Sequence, residues 1–543
     1  MELDEEIVCA CDELSTATEH ADISLESDEP SVEEALKGPN AKHWQHAMDE
    51  EVAAIEKNGT WELVDPPIGT NIIWSHFILK VKCDEKGEIT HYKAQLVANS
   101  NMQREGIDFN ETFAAVAKLP SVCAVLTNAT SQGWEIHQIN IKNAYLNTEL
   151  SETIYMHPPS GCLKPGQEGK VCKLIKCLYS TQQASFEWYE TLHEFFTEIG
   201  FMCSVVNHVV FFRHEGEFSS VVSVSTDDMV ITGNSIDSIN WVKGEFRKRF
   251  EISDLGEIKW LLGLEIKYDK AARTLSISQG AYIDKLIEHF GLSDANAIST
   301  PFELGTALSA DQSPSMPCQT AEMLHIPYKE LVGSIAWSAL TTHPDISFPS
   351  LTLAQFMQNP GCTHWEVGKR IIHYLKGMRN YALNLTDPNK GIIAYVDADW
   401  GLQNHCHSIS GHIVSFAGML VAWGSKKQSI VALSSTEAEY VAMTNVLKDI
   451  LWLRNLIAEI HVPITTPTPL HCDNQGAIAL TLNNKFHLQM KHIDIRYHFI
   501  QEAVENDHVL PLYCPTDAMV MDVLTKVLPH SKLLRFIEML GLY

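Results

Sequence analysis

Apolar residues recur along this chain with two periods, and the alternation between those periods predicts its elements. Over 41–55, Trp44, Met48, Val52 and Ile55 stand three or four residues apart, the spacing of one helix face, and Asn58-Gly59 supplies a stop. Strands are predicted over 71–81 and 91–98, with Asp84-Glu85-Lys86-Gly87 as the turn. A helix over 121–131 leads into a strand over 135–141. The strand at 173–178 precedes a helical stretch around 188–199, and strands follow over 205–213 and 218–224. Ser225-Thr226-Asp227-Asp228 reads as a tight turn, 229–232 as the returning strand, and 238–250 as a helix. Two hairpin-like segments follow around 261–266 and 275–278.

Residues 296–320 are rich in Ser, Thr and Pro and predict a linker, and 328–378 predict a helical block. A last domain opens near Gly391 with strands. It continues into a helix over 436–460 that carries Ala442, Val446, Ile450, Leu453, Ile457 and Ile460 on one apolar face. Strands and helices in this order predict an α+β chain.

Length and charge change the picture in two places. A chain of 543 residues implies roughly three or four domains. The formal net charge is −28, the wrong sign for a protein whose partners are phosphates. Thirteen Asp and Glu precede the first Lys or Arg, Lys37, so residues 1–38 are expected to be an acidic, disordered tail. The thirteen cysteines include no C-x-x-C pair, which argues against a zinc finger or a disulfide framework and for an intracellular setting, cytoplasmic or nuclear. No apolar run has the length of a membrane span.

Chemistry is concentrated toward the C-terminal end. Ala394-Tyr-Val-Asp-Ala-Asp-Trp400, Ala432-Leu-Ser-Ser-Thr-Glu-Ala-Glu-Tyr440, Leu470-His-Cys-Asp-Asn474 and Met521-Asp-Val-Leu-Thr-Lys526 each place an acid at a strand end or a helix start. Asp397, Glu437, Asp473 and Asp522 could therefore converge on a pair of divalent metals, Mg²⁺ or Mn²⁺, as phosphodiester cleavage by metal-activated water requires. Each acid also has a structural role open to it. Asp397 could be an exposed strand end, with Asp399 as the alternative ligand. Glu437 lies three residues after Ser434 and fits a capping box. Asp473 could cap the helix that follows it, and Asp522 could open the last helical segment.

These segments resemble the ribonuclease H domain of copia-type LTR retrotransposons, and Trp423-Gly-Ser-Lys-Lys-Gln428 lies between the first two of them. Upstream, Asn58-Gly-Thr-Trp-Glu-Leu-Val64, Tyr92-Lys-Ala-Gln-Leu-Val-Ala98, Gly106-Ile-Asp-Phe-Asn-Glu-Thr-Phe113, Gln138-Ile-Asn-Ile-Lys-Asn-Ala-Tyr-Leu-Asn147, Val171-Cys-Lys-Leu-Ile-Lys-Cys-Leu-Tyr179, Asp254-Leu-Gly256 and Leu262-Gly-Leu-Glu-Ile266 resemble the reverse transcriptase of the same elements. The resemblance implies a right-hand polymerase with fingers and palm over 39–240, a thumb and connection over 241–390, and a ribonuclease H-like mixed α/β domain over 391–543. It implies two metals per active site, an RNA template, a DNA primer, deoxynucleoside triphosphates and RNA–DNA hybrids as partners, and no membrane.

For the palm, the resemblance implies metal-holding carboxylates at Asp227 and Asp228 and at position 140, where this chain has Asn140. A polar hairpin turn remains the alternative for Asp227-Asp228. An amide at 140 removes a negative charge from the cage, and Mg²⁺ favours carboxylate oxygens. The resemblance also implies basic residues at Gln95, Asn99, Gln182, Phe186, His343 and His407, none of which carries a permanent positive charge. Lys93, Lys142, Lys491, His492 and Arg496 are the remaining candidates for nucleic-acid contact; the stretch 491–498 also fits a solvated helix of mixed charge. The resulting expectation is impaired DNA synthesis with retained hybrid cleavage. The alternative is a non-catalytic retrotransposon relic or a domesticated module that binds nucleic acid or protein. Because protease, zinc-knuckle and integrase patterns are absent from the sequence, it also reads as the C-terminal part of a Pol polyprotein.

Overall fold

The computed structural model describes residues 30–83, 89–115, 117–159, 166–400, 407–460, 464–482 and 494–543. The chain divides into two compact units. One takes in the described part of Glu26–Ala117 together with His137–Gly256, and the other Lys118–Ile136 together with Glu257–Tyr543. The fold is α+β, as the two hydrophobic periods predict.

In the first unit, the helix Ala41–Lys57 buries Trp44, Met48 and Ile55, three of the four positions that its spacing predicts, and also Ala47. A short helix, Val32–Lys37, precedes it. Ser31 and Glu34 close a capping box at its start, and Ala35 packs into the cluster around Trp44 and Met48. The expected tail therefore ends before residue 32, because an apolar residue there finds a core. Residues 1–29 and the turn at 84–87 lie outside the described residues. Strands Ser75–Cys83 and Ile89–Ala98 pair antiparallel, with Lys80 opposite Lys93.

The centre of this unit is a sheet of six strands in the order Ile252–Glu257, Glu135–Ile141, Asp228–Gly233, Phe218–Ser225, Val210–Glu215, Met202–Cys203. Its core is aromatic. Phe196 stacks on Phe211 at 4.1 Å, and Phe195, Phe246 and Phe250 pack edge-on or tilted around them. The strand expected over 205–213 starts only at Val210 and runs to Glu215, and a separate short strand, Met202–Cys203, precedes it. Between them, Ser204 Oγ accepts from the Asn207 N–H at 3.0 Å and closes a turn.

In the second unit, the helix Leu119–Gln132 is buried from Ser121 through Ser131 and ends on Gly133 in the left-handed conformation. Four strands, Trp260–Leu261, Leu264–Asp269, Thr274–Ser278 and Ala382–Asn384, form one sheet. The expected linker at 296–320 is partly packed: Phe302 is buried and Pro317–Met323 is helical. The helical block is present as Tyr328–Thr341, Ser347–Ala354 and Cys362–Met378.

The C-terminal sheet has the order Met419–Lys427, Ile409–Phe416, Ile393–Asp399, Thr468–Cys472, Val509–Tyr513. The first three strands pair antiparallel and the last two join in parallel, so the sheet is mixed, as the resemblance implies for 391–543. The helix Ser435–Ile460 buries all six residues of its predicted apolar face.

Candidate metal-binding carboxylate centres

The residues expected to form a palm centre meet at the turn of a hairpin. Strands Phe218–Ser225 and Asp228–Gly233 are joined by a two-residue turn, with Ser225 opposite Asp228. Thr226 takes φ +54, a conformation disfavoured for a β-branched residue. The Trp188 indole N–H donates to the Thr226 carbonyl at 2.7 Å and holds it there. The Ile141 N–H donates to the Asp227 carbonyl at 2.8 Å, which sets Asn140 beside the turn. Asn140 Nδ2 then donates to Asp227 Oδ2 at 3.0 Å and to Asp228 Oδ1 at 3.3 Å, and Gln138 Nε2 donates to Asp228 Oδ1 at 3.3 Å. Carboxylates only accept, so the Asn140 nitrogen, not its carbonyl oxygen, must face them. Asp227, Asp228 and position 140 are thus brought together, but with N–H groups aimed at the oxygens that cations would use. This donor set does not fit a pair of divalent metals.

The second centre lies on the C-terminal sheet. Asp397 stands on the central strand opposite Gly411 and is only 2% exposed. A Cβ on Gly411 would lie 2.7 Å from Thr525 Cγ2 and 2.9 Å from Leu524 Cβ, so the glycine lets the short helix Asp522–Thr525 lie against the sheet. That approach delivers the Thr525 hydroxyl to Asp397 Oδ2 at 2.5 Å and Lys526 Nζ to the same oxygen at 3.6 Å.

Glu437 is not part of this cluster. Its carboxylate accepts from the Leu433 N–H at 2.8 Å, and its own N–H donates to Ser434 Oγ at 3.2 Å, so it caps the start of its helix. The acid that reaches the site is Glu439. Its Oε1 accepts from the Ala398 N–H at 3.0 Å, and Cys472 Sγ approaches Oε2 at 3.7 Å. Two residues along a helix is about 200° around it, so both glutamates cannot face the sheet. Glu439, Cys472 and Asp473 offer ligand atoms within 4.8 Å of one another, the group of this kind among the described residues. Asp473 also accepts from Thr516 Oγ1 at 2.9 Å. The cap of the helix Gln475–Leu482 is Asn474, whose Oδ1 accepts from the Ala477 N–H at 3.0 Å, so Asp473 does not have that task.

Electrostatics mark the same residues. Burial pushes the Asp397 carboxyl up to about 6, against the opposing pull of Lys526 and the Thr525 hydroxyl. Burial and then the Asp397 charge push Glu439 well above the ordinary carboxylate range. Asp399, the alternative at this strand end, is half-buried and raised mainly by burial. Asp522 is treated differently. Lys526 Nζ lies 2.7 Å from one of its oxygens and Lys532 Nζ 2.5 Å from the other. Burial favours the neutral form of Lys526, but Asp397, Asp522 and Asp399 outweigh it and raise the ammonium.

Of the candidate nucleic-acid contacts, Lys93 is exposed and Lys142 is engaged with Glu251 at 2.7 Å. Lys491 and His492 lie outside the described residues, as does the side chain of Arg496, whose backbone is helical.

Residues 58–304 match the family model of reverse transcriptase, an RNA-dependent DNA polymerase. Over 529 residues the chain is 34% identical to the retrovirus-related Pol polyprotein from transposon TNT 1-94 of Nicotiana tabacum, covering 97% of this chain and 40% of that protein. Over 522 residues it is 34% identical to the Pol polyprotein from transposon RE1 of Arabidopsis thaliana, covering 96% and 35%. The structure of a foamy viral protease-reverse transcriptase with double-stranded DNA aligns over 87% of this chain and 70% of that one, with 12% identity and a TM-score of 0.47. The chain is thus similar to reverse transcriptases over residues 58–304 and to transposon Pol polyproteins over nearly its whole length. Its particular relatives are the copia-type Pol polyproteins of plant transposons, of whose length it spans about two fifths or less.

Proposed function

We propose that this chain acts as a hybrid-cleaving nuclease in which the polymerase chemistry of its relatives is disabled. The observation that carries the reading is the pair of buried acids Asp397 and Glu439, both with carboxyls held above their ordinary range, beside half-buried Asp473, whose ligand atom lies within 4.8 Å of those of Glu439 and Cys472. These residues fit divalent cations, with Asp522 as a further ligand once Lys526 and Lys532 release it. A bound divalent pair would supply an activated water and would stabilise charge on the phosphate. The chain's own part is to fix the carboxylates. The Ala398 N–H orients Glu439, the Thr525 hydroxyl orients Asp397, and Thr516 orients Asp473. The substrate is an RNA–DNA hybrid. RNA-directed DNA synthesis from a template, primer and deoxynucleoside triphosphates is severely reduced, because Asn140 supplies an amide where the cage needs an anion.

The test is cleavage of the RNA strand of a hybrid by the purified chain, with Mg²⁺ and then Mn²⁺. Weak metal-dependent cutting is expected. Binding should be weak and its salt dependence shallow, since few basic side chains hold the phosphates. Asp473→Asn should abolish it without unfolding the protein. If that variant cuts as well as the parent, the site is wrong; if neither cuts under any metal condition, the chain is a non-catalytic relic.

A further inference from the structure

We propose that the side-chain amides of Asn140 and Gln138 take the place of the divalent cations at the palm turn, so that this centre is held together without metal and binds none. The inference rests on reading Asn140, Asp227 and Asp228 as the palm carboxylate positions. It goes beyond a loss of polymerase activity by assigning the three residues a structural task.

The geometry points to substitution rather than simple damage. Had the strand acid merely been lost, the two remaining aspartates, adjacent in the chain at the turn, would still attract a cation. Instead each proton of one amide nitrogen is used. Asn140 Nδ2 reaches Asp227 at 3.0 Å and Asp228 at 3.3 Å, bridging the two carboxylates as a metal would. Gln138, on the same face of the same strand two residues earlier, adds a second donor to the Asp228 oxygen that Asn140 already reaches. Donors of this kind stabilise the charged form of a carboxylate without adding charge. A cation approaching the two oxygens that Asn140 bonds meets amide protons, and it can reach those oxygens only by turning Asn140 over and breaking both of its bonds. The backbone bond from Ile141 to Asp227 and the indole bond from Trp188 to Thr226 keep strand and turn in that register. A cation is therefore excluded by the residue that replaces it.

The experiment counts Mn²⁺ bound to the full chain by the loss of the free-ion electron paramagnetic resonance signal. The comparison is made in the double variant Asp397→Asn with Glu439→Gln, so that the C-terminal acids do not contribute. In that background, adding the isosteric changes Asp227→Asn and Asp228→Asn should leave the Mn²⁺ count unchanged. Adding Asn140→Asp should raise it by about one ion per chain, since a third carboxylate restores a hard-oxygen cage. The same variant should gain a Mn²⁺-dependent rise in Tm. Should it be unfolded without metal, refolding on Mn²⁺ addition carries the same result. The proposal is overturned if the asparagine pair removes a bound ion, or if Asn140→Asp gains none. Failure of the nuclease reading shows elsewhere, as an unchanged Mn²⁺ count between the parent and the Asp397, Glu439 double variant.

Discussion

The chain holds two groups of close carboxylates, and it stabilises them by opposite means. At the palm turn, Asp227 and Asp228 are met by neutral amides from the neighbouring strand. In the C-terminal sheet, Asp397 and Glu439 are buried and pushed toward protonation, while Lys526 and Lys532 supply cationic charge to Asp522. Amides satisfy lone pairs and leave no demand for a cation. Burial with incomplete neutralisation leaves that demand in place, because a desolvated anion is costly until a positive charge meets it. The presence of close carboxylates therefore says little by itself about which group can hold a cation. The decisive feature is what now faces the carboxylate oxygens.

The largest effect should separate the two glutamates of the long helix. Glu439→Gln is expected to lower hybrid cleavage by about two to four decades, the cost of weakening a metal cage. Glu437→Ala should leave the cleavage rate nearly intact and instead lower stability by about 1 kcal/mol, the usual worth of a helix cap. Rates and thermal melts of both variants decide it. Equal losses of activity would place both residues in the site and remove the distinction drawn from their bonds.

That distinction was within reach of the sequence. The helix was legible from Ala442, Val446, Ile450, Leu453, Ile457 and Ile460, all of which are buried. Extending that stripe back by three residues from Ala442, or by seven from Val446, arrives at Glu439 and not at Glu437. The Ser434-x-x-Glu437 pattern is itself a correct local signal, but for a cap. Two-period reading likewise located the strand of Asn140 and the turn of Asp227-Asp228. It did not reveal what the Asn140 amide bonds, because that depends on pairing between residues about ninety apart in the chain. The helix Val32–Lys37 was missed because acidic composition outweighed a single buried alanine, Ala35.

The next effect concerns pH in the absence of divalent metal. Asp397 has an ordinary value of 3.8 and is raised to about 6 in the folded chain. Between those values the folded state holds a proton that the unfolded state has lost, so stability falls as pH rises through this window. The full loss is about 3 kcal/mol, from a shift of roughly two units at 1.36 kcal/mol each. Asp397→Asn should remove this fall, leaving the metal-free variant more stable than the parent above pH 6 by up to that amount. Melting curves between about pH 4 and 7 in chelator measure it. A parent whose stability rises over this range would show that Asp397 ionises without cost, and the demand for a cation at this centre would go with it.

The smallest effect is a pair of identical substitutions with opposite signs. Gly411→Ala places a methyl group 2.7 Å from Thr525 Cγ2 and 2.9 Å from Leu524 Cβ. Leu524 and Thr525 are buried in a short helix on the sheet, so the strand and that helix must separate. The expected cost is about 1–3 kcal/mol, the range for overpacking a filled interior. The shift also carries Thr525 away from Asp397, so hybrid cleavage should fall with stability. Gly244 sits inside the helix Ile236–Arg249 of the other unit, and a Cβ there meets nothing within 4 Å. Gly244→Ala should raise stability by up to about 1 kcal/mol, through reduced freedom of the unfolded chain and better helix propensity. Denaturant titration of the two variants checks both signs. A neutral Gly411→Ala would mean that the short helix yields easily, and then the Thr525–Asp397 contact is not what fixes the carboxylate.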